Sequence, residues 1–278
     1  MTLLAKAADL ASQIFHGIGG RIGRFGSYAF LDARQAELGG VRPLDLEAVI
    51  RSYLAAGGDF TFVQIGAHEG DAGDPLAACI RACGLRGVLV EPQPGPFARL
   101  CENYADQPRL SFERAAIASA DGTAPFYRVD PSFWARHGLP EGIDSQISSL
   151  SREQIHFHVA LFGGKALAAR ESEYLIVEEI PAITLPALLA KHGLARPNLL
   201  QIDTEGFDFE VIKMIDWGNP PDLIHYETVH LSVPDRRASW DLLRAHGYRL
   251  FSTNSYNTLA IRSGDSGAPA LPESLATL

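Results

Sequence analysis

The stretch Phe60 to Gly70, FTFVQIGAHEG, limits the possible folds more than any other part of this chain. Phe60 to Ile65 is a short, mostly apolar run that breaks at once into Gly66-Ala67-His68-Glu69-Gly70. A run of this kind is a strand covered on both sides, as in a parallel sheet between layers of helices. Glycines directly after such a strand let the backbone pass close to a ligand. Gly87-Val88-Leu89-Val90-Glu91-Pro92 repeats the pattern and ends in a carboxylate. An acid at the tip of the second strand, about twenty-five residues beyond the first glycine, is placed to accept both hydroxyls of a ribose.

The rest of the chain keeps this rhythm. The spacing predicts a helix over 74–83 with Pro75 in its first turn, then one striped by Phe97, Leu100, Cys101 and Tyr104. Leu110 to Ala118 reads as a third strand, and Asp121-Gly122 as a tight turn from which Ala124 to Val129 runs back. Ile176 to Ile183, Asn198 to Ile202 and Asp222 to Glu227 read as further strands. Leu185 to His192 reads as a short helix, Phe209, Ile212 and Ile215 mark another, and Trp240 and Leu243 the last. Tyr248 to Ser252 and Thr258 to Ile261 close the sheet as a hairpin about Asn254. Alternating strands and helices imply an α/β fold with a doubly wound, mostly parallel sheet, ending in an antiparallel hairpin.

Residues 130–175 interrupt the alternation with Trp134, His137, Ser145, Ser148, Ser149, His156 and His158, and read as an inserted lid or acceptor-recognition segment. Residues 1–58 read as an N-terminal helical extension to a domain over 59–262. Within it, Leu3, Leu4, Ala7, Leu10, Ala11, Ile14 and Ile18 recur at a helical period. That helix packs on the domain or on a partner subunit, which makes a homodimer an open expectation, or lies on a membrane surface with help from Arg21 and Arg24. Leu46, Val49, Ile50, Tyr53 and Leu54 form a second amphipathic helix stopped by Gly57-Gly58. The tail, 263–278, is small, polar and proline-containing, and reads as frayed.

Composition removes several classes of function. The chain is 46% hydrophobic and 21% charged, enough apolar material for one sizeable core. Its formal charge is −9 and no basic block occurs, so nucleic acid is excluded as the expected partner. Cys79, Cys83 and Cys101 are too few for a disulfide framework. Cys79 and Cys83 stand four apart on the expected helix, as half a metal site or, far more commonly, as buried small hydrophobes. No apolar stretch is long enough to span a membrane, and the first residues lack the pattern of a secretory signal, so a cytoplasmic location is the expectation.

Ligands of open parallel sheets sit beyond the carboxyl ends of the strands. Here those ends carry Gly66–Gly70, Glu91, Asp203-Thr204-Glu205-Gly206, and Glu227 to His230. A dinucleotide fingerprint needs G-x-G-x-x-G, but the loop reads Gly66-x-x-x-Gly70 and lacks the middle glycine that admits a pyrophosphate. Glu69 and Asp71 would repel a diphosphate, whereas carboxylates suit the ammonium and sulfonium of S-adenosylmethionine. An NAD-dependent oxidoreductase is therefore the weaker alternative.

The blocks FVQIGAHEG, VLVEPQPGPFARL, AAIASADGTAPFY, LLQIDTEGFDFEVI and the final HGYRLF…NTLAI together resemble the FkbM-type methyltransferase family over about residues 60–262. The resemblance implies a class I methyltransferase (Rossmann-like) fold. It also implies S-adenosylmethionine as cofactor and methylation of a hydroxyl oxygen on a carbohydrate or natural-product acceptor. Gly66, Ala67 and Gly70 match the family's cofactor loop, and Glu91 its ribose-binding acid. His68 stands where the family commonly has asparagine, which leaves the hydrogen bonding of the loop open. Ala116, at the end of the third strand, is the candidate for holding the adenine, and Asp203 sits where the methyl group must lie. A non-catalytic relative using the same fold is a second alternative, opposed by the intact loop, Glu91 and Asp203.

An unactivated hydroxyl benefits from a base. His230 is the expected base, with Asp203 or Glu227 orienting it or the acceptor, while Glu205 reads as structural. Asp203 is also a possible N-cap for the helix that follows. His137, His156 and His158 read as lid structure or substrate contacts. Asp203, Glu227 and His230 also form a possible set for a divalent ion such as magnesium, which would polarise the acceptor oxygen.

Overall fold

The computed structural model describes residues 44–262, except 56–58, 72–73, 141 and 255. The expected helix over 2–18, the glycine stop at Gly57-Gly58 and the tail from Ser263 lie outside the described residues.

The main sheet has seven strands. They are β1 (Thr61–Ile65), β2 (Arg86–Val90), β3 (Leu110–Glu113), β7 (Leu199–Ile202), β8 (Leu223–Glu227), β9 (Tyr248–Ser252) and β10 (Asn257–Arg262), in spatial order β3-β2-β1-β7-β8-β10-β9. β1 lies between β2 and β7, and every pair from β3 to β8 is parallel. β10 pairs antiparallel with both β8 and β9. The doubly wound sheet and the closing hairpin agree with the class I methyltransferase expectation.

Side chains alternate between two apolar layers. On one face Phe62, Leu89, Leu199 and Leu223 pack with α1 (Leu46–Ala55), α2 (Ala77–Cys83) and α3 (Pro94–Asn103). On the other, Val63, Val88, Leu200 and Ile224 pack with α8 (Leu185–Lys191), α9 (Asp208–Lys213) and α10 (Val233–Ala245). Burial on both faces explains why β1, β2, β7 and β8 read as apolar runs. Each side chain fully buried in this way contributes about 1.5–3 kcal/mol. Leu46, Val49, Ile50 and Tyr53 form the buried stripe of α1, as the periodicity predicts. Cys79 is buried in the same layer and all three cysteines are free, so Cys79 packs as a small hydrophobe.

Three expected strands belong elsewhere. Leu110 to Ala118 is not one strand: the chain breaks at Arg114-Ala115, and β4 (Ala116–Ile117) leaves the main sheet. It joins β6 (Leu175–Ile183) and β5 (Gly122–Val129) in a separate three-stranded sheet, ordered β4-β6-β5. β5 and β6 pair antiparallel from Gly122↔Ala182 to Val129↔Leu175. Each buries one face and leaves Thr123, Glu179 or Pro181 on the other, a pattern incompatible with the doubly covered sheet.

Between β5 and β6 stand α4 (Pro131–Arg136), α5 (Arg152–Gly163), α6 (Lys165–Ala168) and α7 (Glu171–Tyr174). Asp130 caps α4 by accepting the Ser132 and Phe133 N–H groups, with Pro131 in the first turn. Phe133, Trp134, Ile147, Ile155, Val159 and Tyr174 give this insertion its own apolar cluster. The His137 ring lies tilted against Phe133, and His156 Nδ1 lies 3.2 Å from the Tyr174 hydroxyl, both structural contacts. Among the described residues no helix is long and apolar enough to cross a membrane.

The packing of β1 on β2 makes a direct test. A Cβ on Gly87 would lie 2.4 Å from the fully buried Phe62 ring. Gly87→Ala is expected to cost about 1–3 kcal/mol, read as a lowered urea midpoint with unchanged slope.

Candidate functional site

The loop after β1 is fixed by both neighbouring strands. Gly66 and Ala67 donate N–H bonds to the Val90 carbonyl at 2.9 and 3.0 Å, and the Asp203 N–H reaches the Ile65 carbonyl at 2.9 Å. Gly66 has φ +80°, and a Cβ there would fall 1.7 Å from the Asp203 carbonyl oxygen. Gly70, at φ +66°, lies against Tyr104, where a Cβ would meet the ring at 2.3 Å. Neither position accepts another residue without moving the loop.

Glu91 stands at the tip of β2 and is 3% exposed. Its Oε2 accepts the His68 N–H at 3.0 Å and its Oε1 the Gln93 N–H at 2.8 Å. Each carboxylate oxygen keeps a second acceptor direction. His68 takes the left-handed conformation, φ +47°, that asparagine adopts more readily. The bond to Glu91 comes from its backbone, so replacing the family's asparagine leaves this contact intact. Burial pushes Glu91 up to about 7, against the lowering effect of its two backbone bonds.

These groups border a cavity of about 240 Å³. Gly66, Ala67, His68, Gly70, Glu91, Ala116 and Asp203 all line it, so the seven cofactor candidates converge. Phe126 of the small sheet and Gln146, Ser148 and Leu150 of the insertion form the facing wall. The insertion is latched to this rim. Gln93 Nε2 donates to the Ser145 carbonyl at 3.0 Å, and the Ser148 hydroxyl reaches Gln93 Oε1 at 3.2 Å. Glu113 points elsewhere, toward Lys191 and His192.

The charge of the cavity is one-sided. Glu69, Asp71, Asp74, Glu91, Asp203 and Glu205 line it, and no lysine or arginine does so among the described residues. Gln64 Oε1 is buried on the same wall without a hydrogen-bond partner among the described residues.

Asp203 does not cap α9: Phe207 holds that position, and the Asp203 side chain opens onto the cavity instead. Asp203 is itself open to the cavity, and the desolvating protein around it first, then Glu227, Asp208, Asp74 and Glu91, raise its carboxyl above the usual range. Burial first, then Glu227, Asp203 and Asp208, do this to Glu205, which has φ +52°. Asp208, wholly buried, is raised to about 7 by burial and Glu227. Asp208 ties the loops together: Oδ2 accepts the Thr204 N–H and hydroxyl, and Oδ1 accepts the Glu227 N–H at 3.2 Å.

His230 and Glu227 stand behind Glu205 rather than on the cavity wall. His230 Nε2 lies 3.1 Å from Glu205 Oε2 and 3.4 Å from Glu227 Oε2. His158 of α5 brings its Nε2 within 3.6 Å of the same Glu205 oxygen, and its ring meets that of His230 edge-on at 4.8 Å. Asp203, Glu205 and Glu227 carry carboxylate oxygens within 4.8 Å of one another, and His158, Glu205 and His230 form a second such trio. Sequence reasoning reads Glu205 only as structural and His158 only as lid structure or a substrate contact, and it does not single out Asp208. An acid in the first turn of the helix was visible for Asp208, whereas nothing local marks His158.

The family profile described as the methyltransferase FkbM domain matches residues 64–250. No curated protein matches. Among solved structures, a methyltransferase FkbM from Methylobacillus flagellatus KT is similar at 12% identity and a TM-score of 0.44, covering 92% of this chain and 58% of that one. The chain thus spans 58% of that protein's length. A precorrin-6y C5,15-methyltransferase from Geobacter metallireducens GS-15 is similar at 14% identity and a TM-score of 0.39, over 80% of this chain and 90% of its own.

A raised carboxylate binds its proton more tightly in the folded state than in the unfolded one. The Glu91 contribution to stability is therefore full below the unfolded value near 4.5 and is lost as pH rises through about 7. The loss amounts to about 3 kcal/mol for this shift. Urea denaturation from pH 4.5 to 8 is expected to show a fall in stability that Glu91→Gln makes shallower. An unchanged slope in that variant would contradict the burial of the charge.

Proposed function

The chain belongs to the FkbM methyltransferase family, and we propose that it is an S-adenosylmethionine-dependent O-methyltransferase acting on a hydroxyl of a carbohydrate or other small natural-product acceptor. One observation carries this reading: an acid-lined cavity without a cationic side chain among its described residues, between the Gly66–Gly70 loop, Glu91 and Asp203. A diphosphate would be repelled there, and a ligand carrying positive charge would be held.

The residues present fit such a donor. Glu91 offers its remaining acceptor directions to a ribose diol, and Gln64 Oε1 offers a buried acceptor to an ammonium group. Ala116 and Ile117 present a small apolar wall to a flat base. Bound there, S-adenosylmethionine would supply an electrophilic methyl group on a positively charged sulfur. Asp203, at the centre of the strand ends, would orient the acceptor and take the hydroxyl proton on a carboxylate oxygen. Its raised affinity for protons suits that task, because a carboxylate that binds a proton more tightly is the stronger base. A cation entering the cavity lowers the same affinity and ionises the carboxylate as the site fills. His230, the base suggested by the sequence, instead supports Glu205 and Glu227 from behind.

Calorimetric titration in buffers of different ionisation enthalpy tests this. S-adenosylmethionine and S-adenosylhomocysteine are expected to bind and NAD not to. The sulfonium compound should release more protons than its neutral product. Glu91→Ala should weaken both by about 10–100-fold, the value of hydrogen bonds to a charged group. Asp203→Asn should lower kcat by about 10²–10⁴-fold and leave donor affinity within a few-fold. Binding of NAD alone would overturn the proposal, and equal proton release by both adenosyl compounds would remove the charge-coupled base.

A further inference from the structure

We propose that His158, Glu205 and His230, with Glu227 as a fourth donor, form a binding site for a divalent transition metal. This differs from a magnesium site at Asp203, Glu227 and His230 both in ligands and in metal. It stands independently of the methyl-transfer reading, because it concerns metal binding alone.

The spacing suits a metal. An ion with bonds of about 2.0–2.2 Å to nitrogen and oxygen holds its ligand atoms about 3–3.5 Å apart. Three separations are 3.1 Å (His230 Nε2 to Glu205 Oε2), 3.4 Å (His230 Nε2 to Glu227 Oε2) and 3.6 Å (His158 Nε2 to Glu205 Oε2). The ligand atoms of His158, Glu205 and His230 all fall within 4.8 Å of one another. Both imidazoles turn the same ring nitrogen to one carboxylate oxygen.

A hydrogen-bonded imidazolium–carboxylate pair would give similar distances, but its geometry is different. Glu205 Oε2 is buried and accepts no hydrogen bond among the described residues, despite two imidazole nitrogens within 3.6 Å. The environment is also dry: the side chains of His158, His230 and Glu227 are 3%, 5% and 8% exposed. A cation there would offset the repulsion among Glu205, Glu227 and Asp203.

The donor set selects the metal. Magnesium prefers oxygen ligands and water, whereas imidazole nitrogens favour iron, nickel, copper or zinc, and the carboxylates of a mixed set also admit manganese as a paramagnetic probe. The ligands come from three parts of the chain. His158 lies on α5 of the insertion, Glu205 follows β7 and His230 follows β8. Gln154, one turn before His158, already donates to the His230 carbonyl at 2.8 Å, and the Ser149 hydroxyl to the Glu205 carbonyl at 2.9 Å. A metal would therefore clamp the insertion onto the sheet beside the cavity.

The test uses the full chain stripped with a chelator, then titrated with Mn(II) and with Co(II). One equivalent is expected to bind, with millimolar Mg(II) failing to compete. Pulsed electron paramagnetic resonance of the Mn(II)-loaded, unaltered chain should show coupling to imidazole nitrogen. His158→Gln, His230→Gln and Glu205→Gln should each weaken binding by at least about tenfold, and Asp203→Asn by less. Circular dichroism checks that each variant is folded. No stoichiometric binding, effective competition by Mg(II), absence of nitrogen coupling, or affinity unchanged in His158→Gln would each overturn the site. The nitrogen signal decides the matter even if a variant does not fold.

Discussion

Asp203, Glu205 and Glu227 hold carboxylate oxygens within 4.8 Å of one another, and two unit charges at that distance repel by roughly 3–4 kcal/mol at an effective dielectric constant of ~20. The carboxyl edge of the sheet is arranged around this repulsion. Asp208 beside them is fully buried and collects three hydrogen bonds, from the Thr204 N–H, the Thr204 hydroxyl and the Glu227 N–H. His230 sits between Glu205 and Glu227, and His158 closes the cluster from the insertion. What repulsion remains is relieved by protons, which is why Asp203, Glu205 and Asp208 hold them well above the carboxylate range. A site that keeps protons for lack of positive charge is also one that exchanges them for a cation.

The same sheet edge explains which features were legible in advance. β1, β2, β7 and β8 are covered on both faces, so their apolar runs announce them, and the polar residue after each strand falls at the cavity or beside it. Gly66, Glu91 and Asp203 could therefore be placed from the sequence. β4, β5 and β6 were legible as extended segments but not as a second sheet. Their half-buried alternation differs from the core strands only by residues such as Glu179 and Pro181, and pairing partners leave no local mark. His158 was hidden for a similar reason. Its role arises where α5 docks on loops far along the chain, and a histidine in a helical segment carries no sign of that contact. Glu205 was passed over because it borders the more obvious Asp203, although the glycine that follows it, Gly206, also lies in the left-handed region.

The two walls of the cavity have different mechanical support. The wall of glycines, Glu91 and Asp203 is rooted in the main sheet, with apolar layers on both sides. The facing wall comes from the small sheet and the insertion, whose side chains pack in their own cluster. The first wall holds the features expected of a donor site, and the second holds Gln146, Ser148 and Leu150. Gln93 with Ser145 and Ser148, Gln154 with His230, and Ser149 with Glu205 are among the contacts that join the two.

The closeness of Gly66 to the Asp203 carbonyl bears on how the chain assembles. The first loop reaches its final shape only when the strand end carrying Asp203 lies beside it, and most of the domain separates the two in sequence. Such a contact closes a long stretch of chain, which is slow because the entropy of closure is lost before the contact forms. The cavity floor is thus a late product of folding. A nascent chain that has emerged only as far as the insertion already contains the whole glycine loop and Glu91, yet has no floor on which to place a ligand.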